Sequence, residues 1–135
     1  MASRSVDDLH PILKPLCTQF LADCKADGIQ VILTTTYRSP AEQDALYAQG
    51  RTAPGRKVTN AKAGQSKHNT RIGGKPAARA FDIAIKGPGG GLNWDAHHRH
   101  WKRVGEIGKA LGLIWGGDWK TRDAPHFELP DPTHT

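Results

Sequence analysis

The stretch R-A-F-D-I-A-I, from Arg79 to Ile85, decides the fold because its apolar residues alternate with small or polar ones as in a β-strand. Three bulky apolar side chains fall on one face of this predicted strand: Phe81, Ile83 and Ile85. The other face carries Asp82 between two alanines. Such small neighbours leave open space above the carboxylate, which suits a metal ion or a ligand. We therefore expect one face of the sheet to pack on the core and the other to carry a site.

The C-terminal segment H-F-E-L predicts a second strand of the same kind. Phe127 and Leu129 share one face of it, whereas His126 and Glu128 share the other. If both apolar faces pack on the same core, Asp82 and His126 lie on the same side of the sheet. The two strands would then bring a carboxylate and an imidazole together.

A third candidate ligand, His68, lies in the loop that precedes the Asp82 strand. Two histidines and one carboxylate are a common ligand set of catalytic zinc sites, and they leave one position for water. Two alternatives need no metal, because a buried aspartate can cap a loop and a histidine near a chain end is often a surface residue. Spacing alone leaves these alternatives open.

The first third of the chain predicts a helix followed by a strand. Apolar residues recur with helical spacing over residues 9–24, with Ser5 as a start signal and Gly28 as a stop signal. The β-branched run Q-V-I-L-T-T-T at residues 30–36 is typical of a buried strand.

The rest of the chain completes an α+β pattern. The sequence S-P-A-E at residues 39–42 combines an N-cap, a first-turn proline and a capping glutamate, so a second helix begins there. A long polar loop follows at about residues 51–79, and residues 94–111 predict an amphipathic helix. We expect residues 1–135 to form a single catalytic domain around a small antiparallel sheet with flanking helices.

The composition suits an ordinary globular protein with a basic surface. The 135 residues carry a formal net charge of +6, which favours acidic partners such as nucleic acid, anionic membranes or wall polymers. The positive residues are scattered and lack the pattern of a nucleic-acid motif, so we expect no nucleic-acid partner. The two cysteines, Cys17 and Cys24, would lie about 10.5 Å apart along one helix. That separation exceeds the roughly 7 Å limit of a disulfide, so we expect free thiols.

The first sixteen residues contain no apolar stretch able to serve as a signal peptide, and no membrane-spanning run is found in the sequence. We therefore expect a protein made in the cytoplasm without membrane insertion. A monomer is expected as well. If it acts on a cell wall, another protein must deliver it there.

Three motifs resemble those of the zinc peptidases of the D-alanyl-D-alanine carboxypeptidase and L-alanyl-D-glutamate endopeptidase family. They are S-x-H at Ser66 and His68, A-x-D-I at Ala80 to Ile83, and D-x-x-H at Asp123 and His126. Two further matches are Y-R-S at Tyr37 to Ser39 with Gln43, and W-G-G-D-W at Trp115 to Trp119. The resemblance runs from about residue 9 to 129, and it implies a hedgehog-like fold with zinc on the open face of the sheet.

One departure from the family pattern lies between two of the metal ligands. The family usually places its histidine and aspartate seven residues apart, whereas His68 and Asp82 are fourteen apart. Residues 69–79 therefore contain an insertion, with Ala78 where the family has glycine. We expect the extra residues to form a flap beside the metal.

The resemblance implies a role for each site residue. His68, Asp82 and His126 would hold one Zn²⁺ ion, which activates water for attack on an amide. Asp123 would act as the general base, and Arg38 would stabilise the developing oxyanion.

Four further residues are candidates for substrate binding or for support of the ligands: Ser66, Gln43, Trp115 and Glu128. Glu128 is also a second candidate base, ranked below Asp123 because alternate strand residues lie about 6.6 Å apart. The four tryptophans are expected to lie mostly in the core, with Trp115 or Trp119 as the candidates to line the cleft. The cluster at residues 97–100, H-H-R-H, is a rival metal site, but no carboxylate or cysteine completes it. We interpret it as a basic helix face.

The resemblance favours a phage or prophage endolysin that cuts between L-alanine and D-glutamate in the peptidoglycan stem peptide. A pore-forming holin would release such an enzyme from the host cytoplasm to the wall. One alternative is a D-alanyl-D-alanine carboxypeptidase. Another, of a different class, is a non-catalytic wall-binding domain of the same fold, against which Arg38 and Asp123 argue.

Overall fold

A computed structural model of the chain describes residues 2–87, 91–94 and 98–131. Among these residues there are three α-helices: α1 (Leu13–Ala26), α2 (Pro40–Ala48) and α3 (Arg99–Ala110). Seven strands accompany them: β1 (Val31–Thr35), β2 (Arg71–Ile72), β3 (Lys75–Pro76), β4 (Ala80–Lys86), β5 (Leu92–Asn93), β6 (Ile114–Trp115) and β7 (His126–Glu128). Short 3₁₀ turns occupy Val6–Asp8, Lys67–Asn69 and Gly116–Asp118. This arrangement confirms the predicted α+β class.

The main sheet is antiparallel and has the strand order β1-β4-β7-β6, with β5 also paired to β4. Strand β4 is therefore central, as expected from its buried, alternating sequence. In the β4–β7 register Phe81 pairs with Phe127, and Asp82 pairs with His126. The predicted sharing of faces follows directly, because residues that pair across strands point to the same side of a sheet.

Helix α1 covers the apolar face of the sheet through an aromatic cluster. The Phe20 ring lies 5.4 Å from the Phe81 ring and 4.7 Å from the Phe127 ring, and all three residues are fully buried. Aromatic pairs at such distances stabilise a core beyond the area that they bury. The cluster fixes the sheet against the helix and leaves the opposite face to the site.

Helix α3 approaches the same face closely because two of its residues have no side chain. A Cβ atom on Gly105 would lie 2.5 Å from the Trp115 ring, and one on Gly108 would lie 2.5 Å from the Phe127 ring. Trp101 and Val104 are buried side chains of the same helix. The two glycines thus set how near α3 comes to strands β6 and β7.

The predicted face of Asp82 is less open than the alternation indicates. Ala80 and Ala84 are fully buried, whereas Asp82 keeps 22% of its side chain exposed. The reason is that the 3₁₀ turn Lys67–Asn69 packs against β4. The opening is therefore a narrow one around Asp82 alone.

Two predicted helix starts are wrong. Ser5 caps the separate 3₁₀ turn Val6–Asp8, and α1 begins only at Leu13 with Pro15 in its first turn. The third helix begins at Arg99 and not at residue 94, because the His98 side chain caps it by accepting from the His100 amide. Residues 95–97 of the predicted helix lie outside the described residues.

The predicted loop over residues 51–79 contains some regular structure. It includes the 3₁₀ turn Lys67–Asn69 and the β2–β3 hairpin, whose turn is made by Gly73 and Gly74 at φ 58° and 77°. Positive φ values of this kind are strained for residues other than glycine. The insertion predicted between His68 and Asp82 therefore folds as a tight hairpin.

Helix α1 also carries both cysteines, which are buried free thiols as predicted. Within the described ranges, the helices are all too short or too polar to cross a bilayer.

Candidate metal centre

Asp82 and His126 meet because their strands are paired in register. Nδ1 of His126 lies 3.0 Å from Oδ1 of Asp82. The other ring nitrogen, Nε2, lies 2.8 Å from Oε1 of Glu128. A carboxylate only accepts hydrogen bonds, so in a neutral His126 ring a proton on Nε2 leaves the lone pair of Nδ1 facing Asp82.

His68 reaches the same point from the 3₁₀ turn Lys67–Asn69. Ser66 caps this turn, since its hydroxyl accepts a hydrogen bond from the His68 amide. Nδ1 of His68 donates to the carbonyl oxygen of Thr36 at 2.8 Å. Nε2 is then directed towards the carboxylate of Asp82, with 3.3 Å between Nε2 and Oδ2.

These atoms form a set that fits a metal ion. Ligand atoms of His68, Asp82 and His126 all lie within 4.8 Å of one another. Nε2 of the buried His68 has no hydrogen-bond partner among the described residues, because its contact with Asp82 lacks hydrogen-bond geometry. Each histidine also has its remote nitrogen held by an oxygen acceptor, an arrangement typical of metal-bound histidines. The residues present therefore fit a zinc ion.

The electrostatics of these residues also favour a bound cation. Burial alone would lower the pKa of His126, but hydrogen bonds to Asp82 and Glu128 outweigh it and raise this pKa to about 9. Burial would likewise raise the pKa of Asp82, yet the hydrogen bond with His126 and the close contact of the His68 ring hold this pKa below its ordinary value. The site thus stabilises a positive charge, which a cation can supply in place of a proton.

The three candidate ligands lie in a cleft of about 580 Å³. Its lining includes most of the predicted site residues: Arg38, Ser66, His68, Asp82, Asp123, His126 and Glu128. Most of the remaining wall comes from α2 and from the segment that follows it: Leu46, Gln49, Val58, Thr59, Ala61, Gln65 and Lys67. The cleft is large enough for several residues of a peptide around the metal ligands.

Arg38 is held in the cleft by a buried amide. Its guanidinium donates to Oε1 of Gln43 at 3.1 Å, and Nε2 of Gln43 donates to the Ala61 carbonyl at 2.8 Å. Gln43 is fully buried, so it supports Arg38 and the cleft wall and does not line the cleft itself. Asn69 reinforces the same arrangement by donating to the Arg38 carbonyl at 2.9 Å.

Asp123 lies at the rim of the cleft in the turn before β7. Its amide donates to the Gly116 carbonyl at 2.8 Å, and its carbonyl accepts from the His126 amide at 3.1 Å. The residue remains exposed, but loss of hydration around the carboxyl group and the negative charge of Asp82 both raise its pKa. A raised pKa makes this carboxylate a stronger base than an ordinary surface aspartate.

Glu128 has both of its carboxylate oxygens engaged. Oε1 contacts His126, as described above, and Oε2 lies 2.6 Å from Nζ of Lys67. This bonding favours support of His126 over the alternative in which Glu128 acts as the base.

The structure corrects the prediction for Trp115. This residue is only 5% exposed, and its indole donates to the Ala124 carbonyl, so it belongs to the core and not to the cleft. Trp119 lines the cleft instead, with its ring 5.2 Å from that of His126. The physical reason is that α3 approaches through Gly105 and covers Trp115.

The structure places two other features named in the sequence analysis outside the cleft lining. The β2–β3 hairpin is not part of the cleft lining, and residues 58–67 form the wall that a flap was expected to provide. His98 and His100 lie in edge contact at the start of α3, and among the described residues they form no three-ligand cluster. His97 lies outside the described residues.

Sequence reasoning did not identify two partners of the site. The carbonyl of Thr36 orients His68, but a backbone group carries no side-chain signal. Lys67 lies inside the S-x-H motif, yet its charge looked like one of many scattered cations. Its position directly beside His68 was the available signal.

Comparisons with known proteins identify the family to which the chain is related. Two family models, each described as D-alanyl-D-alanine carboxypeptidase, match residues 59–129 and 7–83. The peptidoglycan L-alanyl-D-glutamate endopeptidase CwlK of Bacillus subtilis (strain 168) is 41% identical over 130 residues. That match covers 90% of this chain and 74% of CwlK.

Three solved structures share the fold. The L-Ala D-Glu endopeptidase ChiX of Serratia marcescens has a TM-score of 0.62 at 21% identity, covering 96% of this chain and 89% of ChiX. The LD-carboxypeptidase LdcB has a TM-score of 0.67 at 18% identity, covering 90% of this chain and 58% of LdcB. A mutant of the D,D-pentapeptidase VanY, in complex with Zn(II), has a TM-score of 0.61 at 17% identity, covering 90% of this chain and 72% of VanY.

Because the three solved structures are only 17–21% identical to this chain, they are evidence for the fold alone. The family models each match more than half of the residues, and CwlK is well above 30% identical. The motif resemblance is thereby confirmed, and the chain belongs to the D-alanyl-D-alanine carboxypeptidase family of peptidases.

Proposed function

We propose that the chain is a zinc-dependent peptidoglycan hydrolase that cleaves the L-alanyl-D-glutamate bond of the stem peptide. The observation that carries the proposal is the convergence of His68, Asp82 and His126 in one cleft with Arg38 and Asp123. The choice of bond is supported by the 41% identity to CwlK, which is named an L-alanyl-D-glutamate endopeptidase.

His68, Asp82 and His126 would hold one zinc ion. When bound, zinc supplies a Lewis acid that acidifies water and polarises the scissile carbonyl. The three residues would present Nε2, a carboxylate oxygen and Nδ1 respectively, the atoms that face one another across the site.

Asp123 would move the proton. Its carboxylate accepts a proton from the attacking water as the new C–O bond forms at the carbonyl carbon. It then delivers that proton to the leaving amine as the C–N bond breaks, so the group returns to its starting state. Asp123 lies in the same cleft as the three candidate ligands, so its carboxylate is placed to exchange a proton with a water molecule beside them.

Arg38 would stabilise the negative charge that develops on the carbonyl oxygen. Its guanidinium is already held by Gln43, so little reorganisation is needed when that charge appears. A preorganised cation of this kind contributes more to rate than a mobile surface arginine.

A second candidate reaction is removal of a terminal D-alanine. The description of both matching family models, D-alanyl-D-alanine carboxypeptidase, favours it. The same cleft residues would serve that reaction, since either bond is an amide of a wall peptide.

We further propose that the enzyme acts as an endolysin, delivered from the host cytoplasm by a holin. The formal net charge of +6 supports action on an anionic wall. Lysis of cells with intact and with permeabilised membranes would test this role. Lysis of permeabilised cells alone is expected, and equal lysis of both would contradict the need for delivery.

Mass spectrometry of purified peptidoglycan digested by the zinc-loaded protein tests the reaction. Chelated protein and the Asp123→Ala variant serve as controls. New fragments that begin at D-glutamate are expected only with the zinc-loaded, unmodified protein.

Each other outcome has a definite meaning. Loss of a terminal D-alanine alone would favour the carboxypeptidase. Intact peptidoglycan under all conditions, with zinc measured in the protein, would overturn hydrolysis and leave the non-catalytic wall-binding alternative.

A further inference from the structure

Lys67 connects the two elements that carry the histidine ligands. Its backbone belongs to the 3₁₀ turn that presents His68. Its Nζ atom donates to the Leu129 carbonyl at 2.6 Å and lies 2.6 Å from Oε2 of Glu128. A third contact, of 3.2 Å, joins Nζ to the carboxylate of Asp131. One side chain therefore ties the turn of one ligand to the strand of another.

Glu128 transmits this connection to His126. One of its oxygens faces Lys67 and the other faces Nε2 of His126. The position of the carboxylate decides whether the proton of a neutral His126 stays on Nε2. Only with the proton there is Nδ1 available as a ligand beside Asp82.

We propose that Lys67 is a positioning residue of the metal centre, which holds Glu128 against His126 and so directs Nδ1 of His126 to the metal. The inference rests on the metal site of the proposed function. It adds a residue to that site whose action passes through Glu128 and not through the substrate.

Burial makes the contact between Lys67 and Glu128 consequential. Their side chains are only 22% and 13% exposed, unlike that of Asp131, which is 84% exposed. A carboxylate that loses its cation in such a position is unfavourable, because water cannot replace the partner fully. Glu128 would then turn away and leave the His126 ring without its acceptor.

Lys67 also keeps Glu128 from becoming a metal ligand itself. One oxygen of the Glu128 carboxylate contacts the Lys67 ammonium group and the other contacts His126. Both oxygens therefore already have a partner. Asp82 would then be the single carboxylate among the residues that hold the ion, which would leave room for water.

The test compares zinc affinity across variants, measured by competition with a chromophoric chelator. Lys67→Met removes the charge at similar length, and Lys67→Arg retains it. Lys109→Met is the matched control, because Lys109 forms a 3.0 Å ion pair with Asp118 outside the cleft. Asp131→Asn removes only the exposed contact.

Lys67→Met is expected to weaken zinc binding about tenfold, in the range known for residues that orient metal ligands. Lys67→Arg, Lys109→Met and Asp131→Asn are expected to bind zinc as the unmodified chain does. In a Glu128→Gln background, Lys67→Met should lose most of its effect, since the two residues act in one path. Nitrogen NMR of the His126 ring in metal-free protein, recorded at a pH high enough for the ring to be neutral, should show mixed tautomers only in the Lys67→Met protein.

Unchanged zinc affinity in Lys67→Met would overturn the inference. This holds even if the metal-free variant melted at a lower temperature, because a loss of stability alone indicates a purely structural contact. The inference would also be overturned if the losses of zinc affinity caused by Lys67→Met and by Glu128→Gln added fully in the double variant. Absence of zinc binding by the unmodified chain would overturn the metal centre and this inference together. Zinc binding without peptide hydrolysis would overturn only the proposed reaction, since affinity is measured without substrate.

Discussion

Nδ1 of His68 lies 2.8 Å from the carbonyl oxygen of Thr36 and must donate to it, because a carbonyl oxygen only accepts. This bond leaves Nε2 of a neutral His68 ring unprotonated and facing Asp82. The acceptor is a backbone atom, so no substitution of the side chain at residue 36 removes it. The orientation of His68 therefore depends on the path of the chain after β1.

The base and the ligands can be separated by substitution. Asp123→Ala is expected to keep zinc and to lower kcat by about 10²- to 10⁴-fold, the usual contribution of a general base. His126→Ala is expected to lose both zinc and activity, because it removes a ligand atom. Zinc content and hydrolysis of a stem peptide measure the two effects. Normal turnover by Asp123→Ala would remove the proposed base.

Gln43 is predicted to matter for rate without touching the metal. Gln43→Leu keeps the volume but removes the acceptor for Arg38 and the donor to Ala61. We expect kcat/KM to fall roughly ten- to hundredfold through misplacement of Arg38, with zinc retained. Gln19→Leu, on the exposed face of α1, is the control. Equal kcat/KM for the two variants would contradict a positioning role for Gln43.

Gly108→Ala is predicted to destabilise the protein, although alanine favours helices by about 1 kcal/mol over glycine. The new Cβ would lie 2.5 Å from the buried Phe127 ring, and overpacking of that kind costs about 1–3 kcal/mol. Gly91→Ala, which meets no atom within 4 Å, is the control. Thermal unfolding of the metal-free proteins measures both. A higher Tm for Gly108→Ala would show that α3 can move away from the sheet.

The two thiols are predicted to resist modification in the folded protein. Burial raises the pKa of both Cys17 and Cys24 to about 12, so almost no thiolate is present at pH 8. In the unfolded chain the pKa returns to about 8.5 and the thiols react readily. Reaction with a thiol reagent at pH 8, with and without denaturant, checks this difference. Fast modification without denaturant would show that α1 opens readily.

Much of the site could be predicted because its side chains follow strand alternation. Asp82 stands between two small residues, and His126 alternates with Phe127, so a shared core face brings both to one side. The helix start at Ser39 was predictable for a similar reason, since its capping box is a local motif with a fixed spacing.

Other features depend on contacts between distant residues and leave little trace in sequence. The burial of Trp115 follows from how closely α3 packs against its ring, and Gly105 permits that close approach. The β2–β3 hairpin has two-residue strands with exposed side chains. Its sequence therefore shows no alternation of apolar and polar residues from which a strand could be predicted. The start of α3 at Arg99 depends on a histidine cap, which is a less common choice than serine or aspartate.

Strand β7 places Phe127, a residue at the centre of the core, between two residues of the cleft. Any change that shifts this ring along the strand also shifts His126 and Glu128, one on each side of it. Attempts to raise heat resistance by redesigning the interior should therefore leave Phe127 and its glycine neighbour on α3 untouched. Because the core residue and the two cleft residues belong to the same three-residue strand, stability and activity cannot be altered independently at this point of the fold.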